Sequence, residues 1–281
     1  MQCYLCASKN WIRRPGEVRD NPNLEILECQ DCGLVYLSSN EHASEKFYQD
    51  SGMHGENLLI EDWVRDTHMD DIRRFEYLRP ALTNQSLLDF GCGNGNFLKL
   101  AKENCKEVVG VELEKRLQPY FQENGLKVFE SLSQVEGKYD WITAFHVIEH
   151  LADPISTLKE LSKHLKSGSG KLLIEVPSSQ DALLNLYNCS PFQKFTYWSC
   201  HLFLYDEYTL SKLAKKAGLK IEMIQQIQRY PISNHLYWLS KGKPGGHKRW
   251  FFLDTLELQM AYSNALASIG ACDTIRAILV N

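Results

Sequence analysis

The sequence has no long hydrophobic run. No stretch of about 18 apolar residues that could cross a bilayer is present, and no apolar core of the signal-peptide type follows Met1. We therefore expect a cytoplasmic protein that has no membrane-spanning segment and no membrane partner.

An excess of charge of either sign is missing as well. The chain contains 31 lysine and arginine residues against 35 aspartate and glutamate residues, and its pI is near 6.2. Such a chain has no general electrostatic attraction for a polyanion, although it can still carry a local basic patch. No basic ribbon with interleaved aromatic residues occurs. A nucleic acid partner is therefore not expected, and the composition favours a small-molecule substrate.

Internal repeats and low-complexity tracts are also absent. The 281 residues, of which 44% are hydrophobic, can bury a sizeable core. This length fits one large domain, or a main domain with a small appendage.

The cysteines do not form the pattern of a secreted disulfide framework, because their number, nine, is odd. Four of them form two CxxC pairs, Cys3 with Cys6 and Cys29 with Cys32, which are separated by 22 residues. Two such pairs can present four thiolates to one tetrahedral ion, so the spacing predicts a structural zinc ribbon. The alternative is a pair of reduced turns without metal. A redox dithiol is disfavoured, because no βαβ pattern surrounds either pair.

Short apolar segments alternate with amphipathic segments after residue 86. The apolar segments predict strands at 87–90, 108–112, 127–131, 140–145 and 171–176, and later at 220–227 and 274–280. The amphipathic segments predict helices at 61–78, 96–104, 115–124, 153–165, 206–217 and 250–268. This alternation predicts a doubly wound α/β domain with a mostly parallel sheet covered on both faces.

Three regions follow from these patterns. We predict a zinc ribbon at 1–38, a linker with cap helices at 39–80, and the α/β domain at 81–281. An aromatic-rich insertion occupies 178–205 of the last region, after the fifth predicted strand. It is interpreted either as hydrophobic cover or as part of a ligand site.

The segment LLDFGCGNGNF, residues 87–97, places a glycine-rich turn directly after a strand. The dinucleotide fingerprint G-x-G-x-x-G is not met, because its sixth position is Asn96, and no lysine follows as in a P-loop. Glycines allow a close approach of backbone to a ligand, and Asp89 before them suits an ammonium group. Glu112 ends the next strand, where a carboxylate can bind ribose hydroxyls. A nucleoside with an amino-acid tail, S-adenosylmethionine, fits this set.

The segments LLDFGCGNGNFL, VVGVEL and YDWITAFHVIEHLADP together resemble the class I S-adenosylmethionine-dependent methyltransferases, over residues 86–176. The resemblance implies a Rossmann-like sheet of seven strands and an enzyme that uses this cofactor. The implied cofactor-binding residues are Asp89, Gly91, Cys92, Gly93 and Gly95 for the methionyl part, Glu112 and Leu113 for the ribose, Glu130 and Ser131 near the adenine, and Phe145 and His146 near the end of the fourth strand.

The segment HVIEH, His146 to His150, also matches the H-x-x-E-H motif of a class of zinc peptidases. In those peptidases the motif lies inside a long helix, whereas here it follows a strand directly and a new helix begins at Asp153-Pro154. The context therefore disfavours a peptidase. The same five residues resemble the segment after the fourth strand of small-molecule methyltransferases, and this resemblance implies that His146 is a site residue and that His150 is structural.

The segment YWSCHLFLYDEYTLSKLAKKAGLKI resembles methyltransferases of bacterial sugar and surface-polysaccharide biosynthesis. The resemblance implies a sugar substrate. His201 and His146 are the two candidates for a general base, and Tyr48 in the linker is a candidate to close over the cofactor.

The basic segment 240–250 is interpreted as a solvated loop or as a phosphate grip for a nucleotide-linked sugar. Two rival functions stay open for the whole chain. One is an RNA base methyltransferase with a zinc module, and the other is a non-catalytic scaffold that uses the ribbon to bind a partner.

Overall fold

The computed structural model describes residues 2–43, 45–49, 53, 55 and 59–281, with only the backbone of Glu45. The described strands are β1 (Trp11–Arg13), β2 (Ile26–Cys29), β3 (Val35–Leu37), β4 (Ser86–Phe90), β5 (Glu107–Val111), β6 (Val128–Phe129), β7 (Trp141–Phe145), β8 (Lys171–Pro177), β9 (Phe203–Leu204), β10 (Lys220–Ile227) and β11 (Thr274–Val280).

The described helices are α1 (Glu45–Gln49), α2 (Ile60–Leu82), α3 (Asn96–Lys102), α4 (Gln118–Glu123), α5 (Pro154–Lys163), α6 (Ser190–Thr196), α7 (Glu207–Lys216), α8 (Ile232–Lys241), α9 (Gly246–Arg249) and α10 (Leu256–Ser268). Short 3-10 turns lie at Lys115–Leu117, Leu132–Gln134, Ile148–His150 and Phe251–Leu253. Among the described residues, no helix has both the length and the apolar composition that crossing a bilayer requires.

Seven strands form one mostly parallel sheet in the order β10-β11-β8-β7-β4-β5-β6. Strand β4 pairs in parallel with both β5 and β7, and β5 pairs in parallel with β6. The strand order reverses between β4 and β7, so the loops that follow these two strands border the crevice where open α/β sheets bind ligands. The predicted fold class is confirmed.

A second sheet of four strands has the order β1-β2-β3-β9, and its pairs are antiparallel. Its first three strands come from the predicted zinc ribbon. The fourth strand, β9, comes from the predicted aromatic insertion, with Val35 opposite Leu204 and Tyr36 opposite Phe203. The sequence alone did not indicate this pairing.

The chain divides into two compact units. The first comprises Met1–Asn40, Glu175–Lys215 and Met223–Ala277, and the second comprises Glu41–Ile174, Lys216–Glu222 and Ile278–Asn281. The described part of the second unit contains the glycine turn and its surroundings. The first unit contains the four-stranded sheet and the helices α8, α9 and α10.

The helix predicted at 250–268 is interrupted in the structure. A 3-10 turn at Phe251–Leu253 is followed by a separate helix, α10, which begins at Leu256. The reason is a local cap: the Thr255 side chain accepts a hydrogen bond from the backbone N–H of Leu258, which starts a new helix. Helix α8, within the first unit, was not predicted.

A buried ion pair lies inside the first unit. The Arg276 guanidinium donates to the Glu175 carboxylate through Nε at 3.0 Å and through Nη2 at 2.8 Å. The two side chains are 4% and 0% exposed. Removal of one partner would leave the other charge buried without its counter-ion.

We expect Arg276→Met to lower the free energy of unfolding by about 3–5 kcal/mol, because the Glu175 charge stays in a low-dielectric interior. Chemical denaturation followed by circular dichroism measures the change. Lys171→Met is the matched control, since Lys171 forms a partly exposed pair with Glu222 and should cost about 1 kcal/mol or less. Equal costs for the two variants would contradict the expectation.

Candidate cofactor site

The glycine turn Gly91–Gly95 connects β4 to α3 in the second unit. The backbone N–H groups of Gly91 and Cys92 donate to the carbonyl of Val111 on the neighbouring strand, at 2.8 and 3.0 Å. Gly91, Gly93 and Gly95 all have left-handed φ angles, of 70°, 54° and 73°. This conformation is open to glycine and strained for other residues, so the turn requires its glycines.

All three glycines also lack space for a side chain, and a Cβ at Gly95 would lie 2.9 Å from Cδ1 of Leu126. A Cβ at Gly91 would lie 2.5 Å from Cγ2 of Val147, and a Cβ at Gly93 would lie 3.0 Å from Cζ2 of Trp63. Real Cβ atoms do not approach neighbours to 2.5 Å. The backbone of the turn therefore forms a narrow cradle between α2 and the segment after β7.

The Glu112 carboxylate connects the glycine turn to the end of β5. Its Oε2 accepts a hydrogen bond from the backbone N–H of Gly93 at 2.8 Å, and its Oε1 accepts one from the N–H of Glu114 at 3.0 Å. Burial raises the pKa of Glu112 above its ordinary value. Each carboxylate oxygen has a second lone pair, so this side chain can still accept two hydroxyl donors such as those of a ribose.

Asp89 lies at the end of β4, beside the turn, and is 2% exposed. Its Oδ1 accepts a hydrogen bond from the Thr143 hydroxyl at 2.7 Å. Burial raises the pKa of Asp89 to about 7, although the Thr143 hydrogen bond and the Arg74 charge act in the opposite direction. A buried carboxyl group of this kind gains its charge when a cation is placed next to it.

A polar network joins α2 to the glycine turn. Asn94 donates to the Thr67 hydroxyl at 2.9 Å, and Thr67 donates to Oδ2 of Asp71 at 3.0 Å. Asn96 also donates to Oδ2 of Asp71, at 2.9 Å. Asp71 pairs in turn with Arg74, and both side chains are buried, with 8% and 9% exposure. These contacts fix α2 against the turn.

The sequence patterns did not indicate this network. Met69 is an apolar residue of the helix predicted at 61–78, yet it is 74% exposed, whereas the residues that α2 buries include Asp71 and Arg74. Thr67, Asp71 and Arg74 are spaced by four and three residues and so lie on one side of a helix. That polar spacing was the available signal.

The segment after β7 borders the same crevice. The Phe145 ring meets the Phe97 ring edge to face, with centroids 4.9 Å apart. The Arg74 guanidinium lies 4.6 Å from the centroid of the Phe145 ring. His146 has a left-handed φ of 56°, which is uncommon for a residue other than glycine, and its Nδ1 lies 3.1 Å from Oε1 of the buried Glu149. The strained backbone and this contact together fix the orientation of the imidazole.

The HVIEH segment forms a 3-10 turn at Ile148–His150 and is not part of a long helix. This agrees with the interpretation of the segment as a loop after a strand. His150 is buried, and its carbonyl accepts a hydrogen bond from the Tyr48 hydroxyl at 3.2 Å. Tyr48 therefore holds α1 against the segment after β7.

The remaining predicted cofactor residues differ in position. Cys92 points into the core, 8% exposed and packed with Leu98, so only its backbone can face a ligand. Leu113 is half-buried directly after β5. Glu130 is exposed. The Ser131 hydroxyl caps the 3-10 turn Leu132–Gln134, and strand β6 therefore ends at Phe129, before the predicted end at 131.

His201 belongs to the first unit, whereas the glycine turn and His146 belong to the second. It is half-buried, and its backbone N–H donates to the carbonyl of Trp198 at 2.9 Å. The Trp198 and His201 rings meet edge to face, with centroids 5.5 Å apart. His201 lies two residues before β9 and is therefore held close to the four-stranded sheet.

The four paired cysteines converge in the first unit. All four sulfur atoms lie within 4.8 Å of one another, with Cys3 Sγ 3.5 Å from Cys32 Sγ and Cys6 Sγ 3.4 Å from Cys29 Sγ. Tetrahedral zinc with bonds of about 2.3 Å needs sulfur atoms about 3.8 Å apart. The donor set and its spacing thus fit a structural zinc ion.

Comparison with known proteins places the second unit's site in a family. Residues 62–224 match the family model described as methyltransferase domain. A tRNA U34 carboxymethyltransferase of Campylobacter hominis is 29% identical over 123 residues, which are 39% of this chain and 43% of that protein. A ubiquinone biosynthesis O-methyltransferase of Xanthomonas euvesicatoria is 26% identical over 157 residues, which are 49% of this chain and 65% of that protein.

A solved structure agrees at the level of the fold. An S-adenosylmethionine-dependent methyltransferase from Thermotoga maritima is 19% identical, with a TM-score of 0.52 over 86% of this chain and 99% of that chain. The chain spans less than half the length of the tRNA U34 carboxymethyltransferases that it matches. The family model, by contrast, covers more than half of the chain, on a sheet of the expected strand order. The chain belongs to the methyltransferase domain family, and its fold is that of the class I S-adenosylmethionine-dependent methyltransferases.

Proposed function

We propose that the chain transfers the methyl group of S-adenosylmethionine to a small molecule. The observation that carries this proposal is the glycine cradle at the switch point of the sheet, tied to Glu112 through the N–H of Gly93. When bound, the cofactor supplies an electrophilic methyl group on a sulfonium centre. The chain has to hold the cofactor, align the acceptor, exclude water and remove a proton.

Each part of the cradle has a proposed role. Asp89 holds the ammonium group of the cofactor, and Glu112 accepts hydrogen bonds from its ribose hydroxyls. Backbone from Gly91 to Gly95, including that of Cys92, lines the methionyl part, with Leu113 beside the ribose. Phe145 covers the cofactor from the end of β7. We also propose that Tyr48 lies over the cofactor and that Glu130 and Ser131 lie near the adenine. In the structure the Tyr48 hydroxyl donates to the carbonyl of His150, and the Ser131 hydroxyl caps a 3-10 turn.

We expect cofactor affinity to rise with pH below neutrality, because Asp89 must be ionised to pair with the ammonium group. Burial raises the pKa of Asp89 to about 7 in the protein without ligand. From pH 5.5 to pH 7 the ionised fraction, and with it the affinity, should rise roughly tenfold. Above about pH 7.7 the ammonium group itself loses its proton and the gain ends. Calorimetric titration at several pH values measures this, with Asp89→Asn as the variant that should be weak and pH-independent.

The same pKa shift has the opposite effect on stability. A carboxyl group whose pKa is raised on folding favours the folded state at low pH, below its unfolded value near 4, and that contribution falls as the pH rises towards 7. Burial also raises the pKa of Asp181, so Asp89 is identified only if Asp89→Asn abolishes the rise in affinity with pH and reduces the loss of stability of the free protein. A pH-independent affinity in the wild type would contradict the assignment.

The proposed acceptor is a sugar hydroxyl, most specifically on a nucleotide-linked sugar of a cell-surface polysaccharide pathway. Support comes from the resemblance of 197–221 to methyltransferases of that kind and from two candidate bases, His146 and His201. The position of His146 after β7, with its ring held by Glu149, favours it as the base that accepts the hydroxyl proton. The relatives named for tRNA and ubiquinone precursors support two other acceptors.

A transfer assay with radiolabelled S-adenosylmethionine tests these acceptors side by side. Nucleotide sugars, a tRNA transcript and a ubiquinone precursor that carries a free hydroxyl group are offered to the wild type, to His146→Asn and to His201→Asn. We expect label in the nucleotide sugars only, lost in one histidine variant with unchanged cofactor binding. Label in tRNA alone would replace the sugar proposal by the RNA one. A folded protein that binds no cofactor would favour the scaffold hypothesis.

We also propose that the four cysteines bind a structural zinc ion. With four thiolate ligands it would have no open position for catalysis, so its role would be to hold the ribbon strands together. The predicted divisions at 1–38, 39–80 and 81–281 remain part of this proposal. The stretches 44, 50–52, 54 and 56–58 of the predicted linker lie outside the described residues.

A further inference from the structure

Exposed hydrophobic side chains are concentrated in one stretch of the first unit. Of the 17 large hydrophobic residues that are exposed in the described part of the chain, eight lie between residues 230 and 260. Six of them form what we call the apolar patch: Leu236, Leu239, Phe251, Phe252, Leu256 and Met260. The largest exposed fractions are 71% at Leu256, 68% at Phe251 and 67% at Phe252.

The elements that carry the apolar patch pack against one another. Helix α8 contacts α9, α10 and the turn Phe251–Leu253. Leu236 and Leu239 are three residues apart on α8, and Leu256 and Met260 are four residues apart on α10, so each pair lies on one side of its helix. The patch is thus a shared surface of several elements.

Helix α10 leaves most of its apolar residues exposed in the described part of the chain. Of its 13 residues only Leu266 is buried, while Leu256, Leu258 and Met260 are exposed. A helix with apolar residues on more than one side is normally buried, and the exposed half of α10 has no such cover within the first unit.

A strongly basic segment directly precedes the two phenylalanines. Residues 240–253 contain four lysine and arginine residues and no acidic residue, although the whole chain has a net charge of -4. Lys241, Lys243, Lys248 and Arg249 are all exposed, and none of them forms an ion pair with a residue that the structure describes. Lys248 and Arg249 end α9 immediately before Trp250 and Phe251.

We propose that this surface docks on an anionic lipid bilayer. The apolar patch would enter the boundary between headgroups and acyl chains, and the four cations would contact lipid phosphates, the combination by which peripheral segments bind membranes. The surface would lie on the bilayer and not span it. The sequence-based expectation of no membrane partner rested on the average charge and on the lack of a long apolar run, and neither reports on a local surface.

Charge complementarity favours a lipid surface over the other occupants. A second copy bound about a two-fold axis would place the same basic segment against itself, and lysine is depleted in protein interfaces. A free phosphate or nucleotide would use the cations but would leave Phe251 and Phe252 in water. An anionic bilayer satisfies both the charge and the apolar surface.

Vesicle flotation with the full-length wild type tests the proposal. Vesicles of phosphatidylcholine with about a third phosphatidylglycerol are compared with vesicles of phosphatidylcholine alone. We expect binding to the anionic vesicles only, weakened by salt. The double variants Phe251→Ser/Phe252→Ser and Lys248→Ala/Arg249→Ala should each reduce the partition coefficient roughly tenfold or more.

Matched controls come from exposed residues elsewhere. Met69→Ser removes an exposed apolar side chain, and Lys215→Ala/Lys216→Ala removes two exposed cations, and both should float as the wild type does. Circular dichroism checks that each variant is folded. The proposal is overturned by a wild type that does not bind anionic vesicles or by a phenylalanine variant that floats normally. It is also overturned if inorganic phosphate abolishes binding at an ionic strength at which sodium chloride does not. It is also overturned if light scattering shows a dimer that Phe251→Ser/Phe252→Ser dissociates without any lipid binding.

Discussion

Glu112→Ala should weaken S-adenosylmethionine binding by roughly 100-fold or more, while the protein remains folded. The carboxylate accepts one hydrogen bond from the glycine turn and one from the segment after β5, and in our proposal two more from the ribose. Each hydrogen bond to a charged group contributes about 1.5–3 kcal/mol, so the loss of two ribose contacts alone accounts for a change of this size. Isothermal titration calorimetry on both proteins measures it.

Glu107→Ala is the matched control for this experiment. Glu107 lies at the other end of the same strand, β5, where it is exposed and pairs with Lys127. Its removal should leave cofactor affinity unchanged within about twofold, as expected for an exposed ion pair. Equal losses of cofactor affinity in Glu107→Ala and Glu112→Ala would contradict the assignment of Glu112 to the ribose. Unaltered cofactor affinity in Glu112→Ala would contradict the proposed cofactor site itself.

Removal of zinc should unfold the four-stranded sheet. Structural zinc contributes an apparent free energy of about 10–16 kcal/mol in small zinc modules, because the unfolded ligands do not form a site. Strands β1, β2 and β3 have only three or four residues each, and strands this short depend on other contacts to hold their pairing. We expect about one zinc per chain in the wild type. In Cys29→Ser/Cys32→Ser we expect a loss of this zinc and faster amide exchange at β1–β3 and at Phe203–Leu204.

Cys105→Ser provides the comparison, since Cys105 lies in the second unit and outside the cysteine cluster. Zinc content and amide exchange in this variant should match the wild type. Mass spectrometry of the intact protein measures the zinc content, and hydrogen exchange measures the exchange rates of the backbone amides. A wild type that contains no zinc and still protects β1–β3 from exchange would refute the zinc proposal.

The parts of the fold that the sequence predicted are those that local patterns encode. The glycine turn can be predicted from the sequence because left-handed backbone at three close positions requires glycine, independently of contacts with the rest of the chain. The strands β4, β5, β7 and β8 were visible as buried apolar runs. The spacing of the four cysteines was visible because a metal site needs its ligands in tight turns.

The parts that could not be predicted depend on contacts between distant segments. Strand β9 has only two residues and is a strand because β3 supplies a partner. The polar side of α2 was missed because Asp71 and Arg74 are buried through tertiary contacts such as those with each other and with Asn96, and charged residues are otherwise taken as exposed. The apolar patch was missed for the converse reason, since apolar residues such as Phe251 are assumed to face inwards.

The pairing of β3 with β9 has a consequence for synthesis of the chain. A ribosome completes β3 more than 160 residues before it completes Phe203–Leu204, so the free edge of β3 waits for its partner while most of the second unit emerges. An unpaired edge is a template for association with other chains, and closing so long a loop is slow. The nascent protein thus passes through a period in which chaperone cover at Val35–Leu37 would decide its yield, even though the chaperone is no longer needed once β9 is in place.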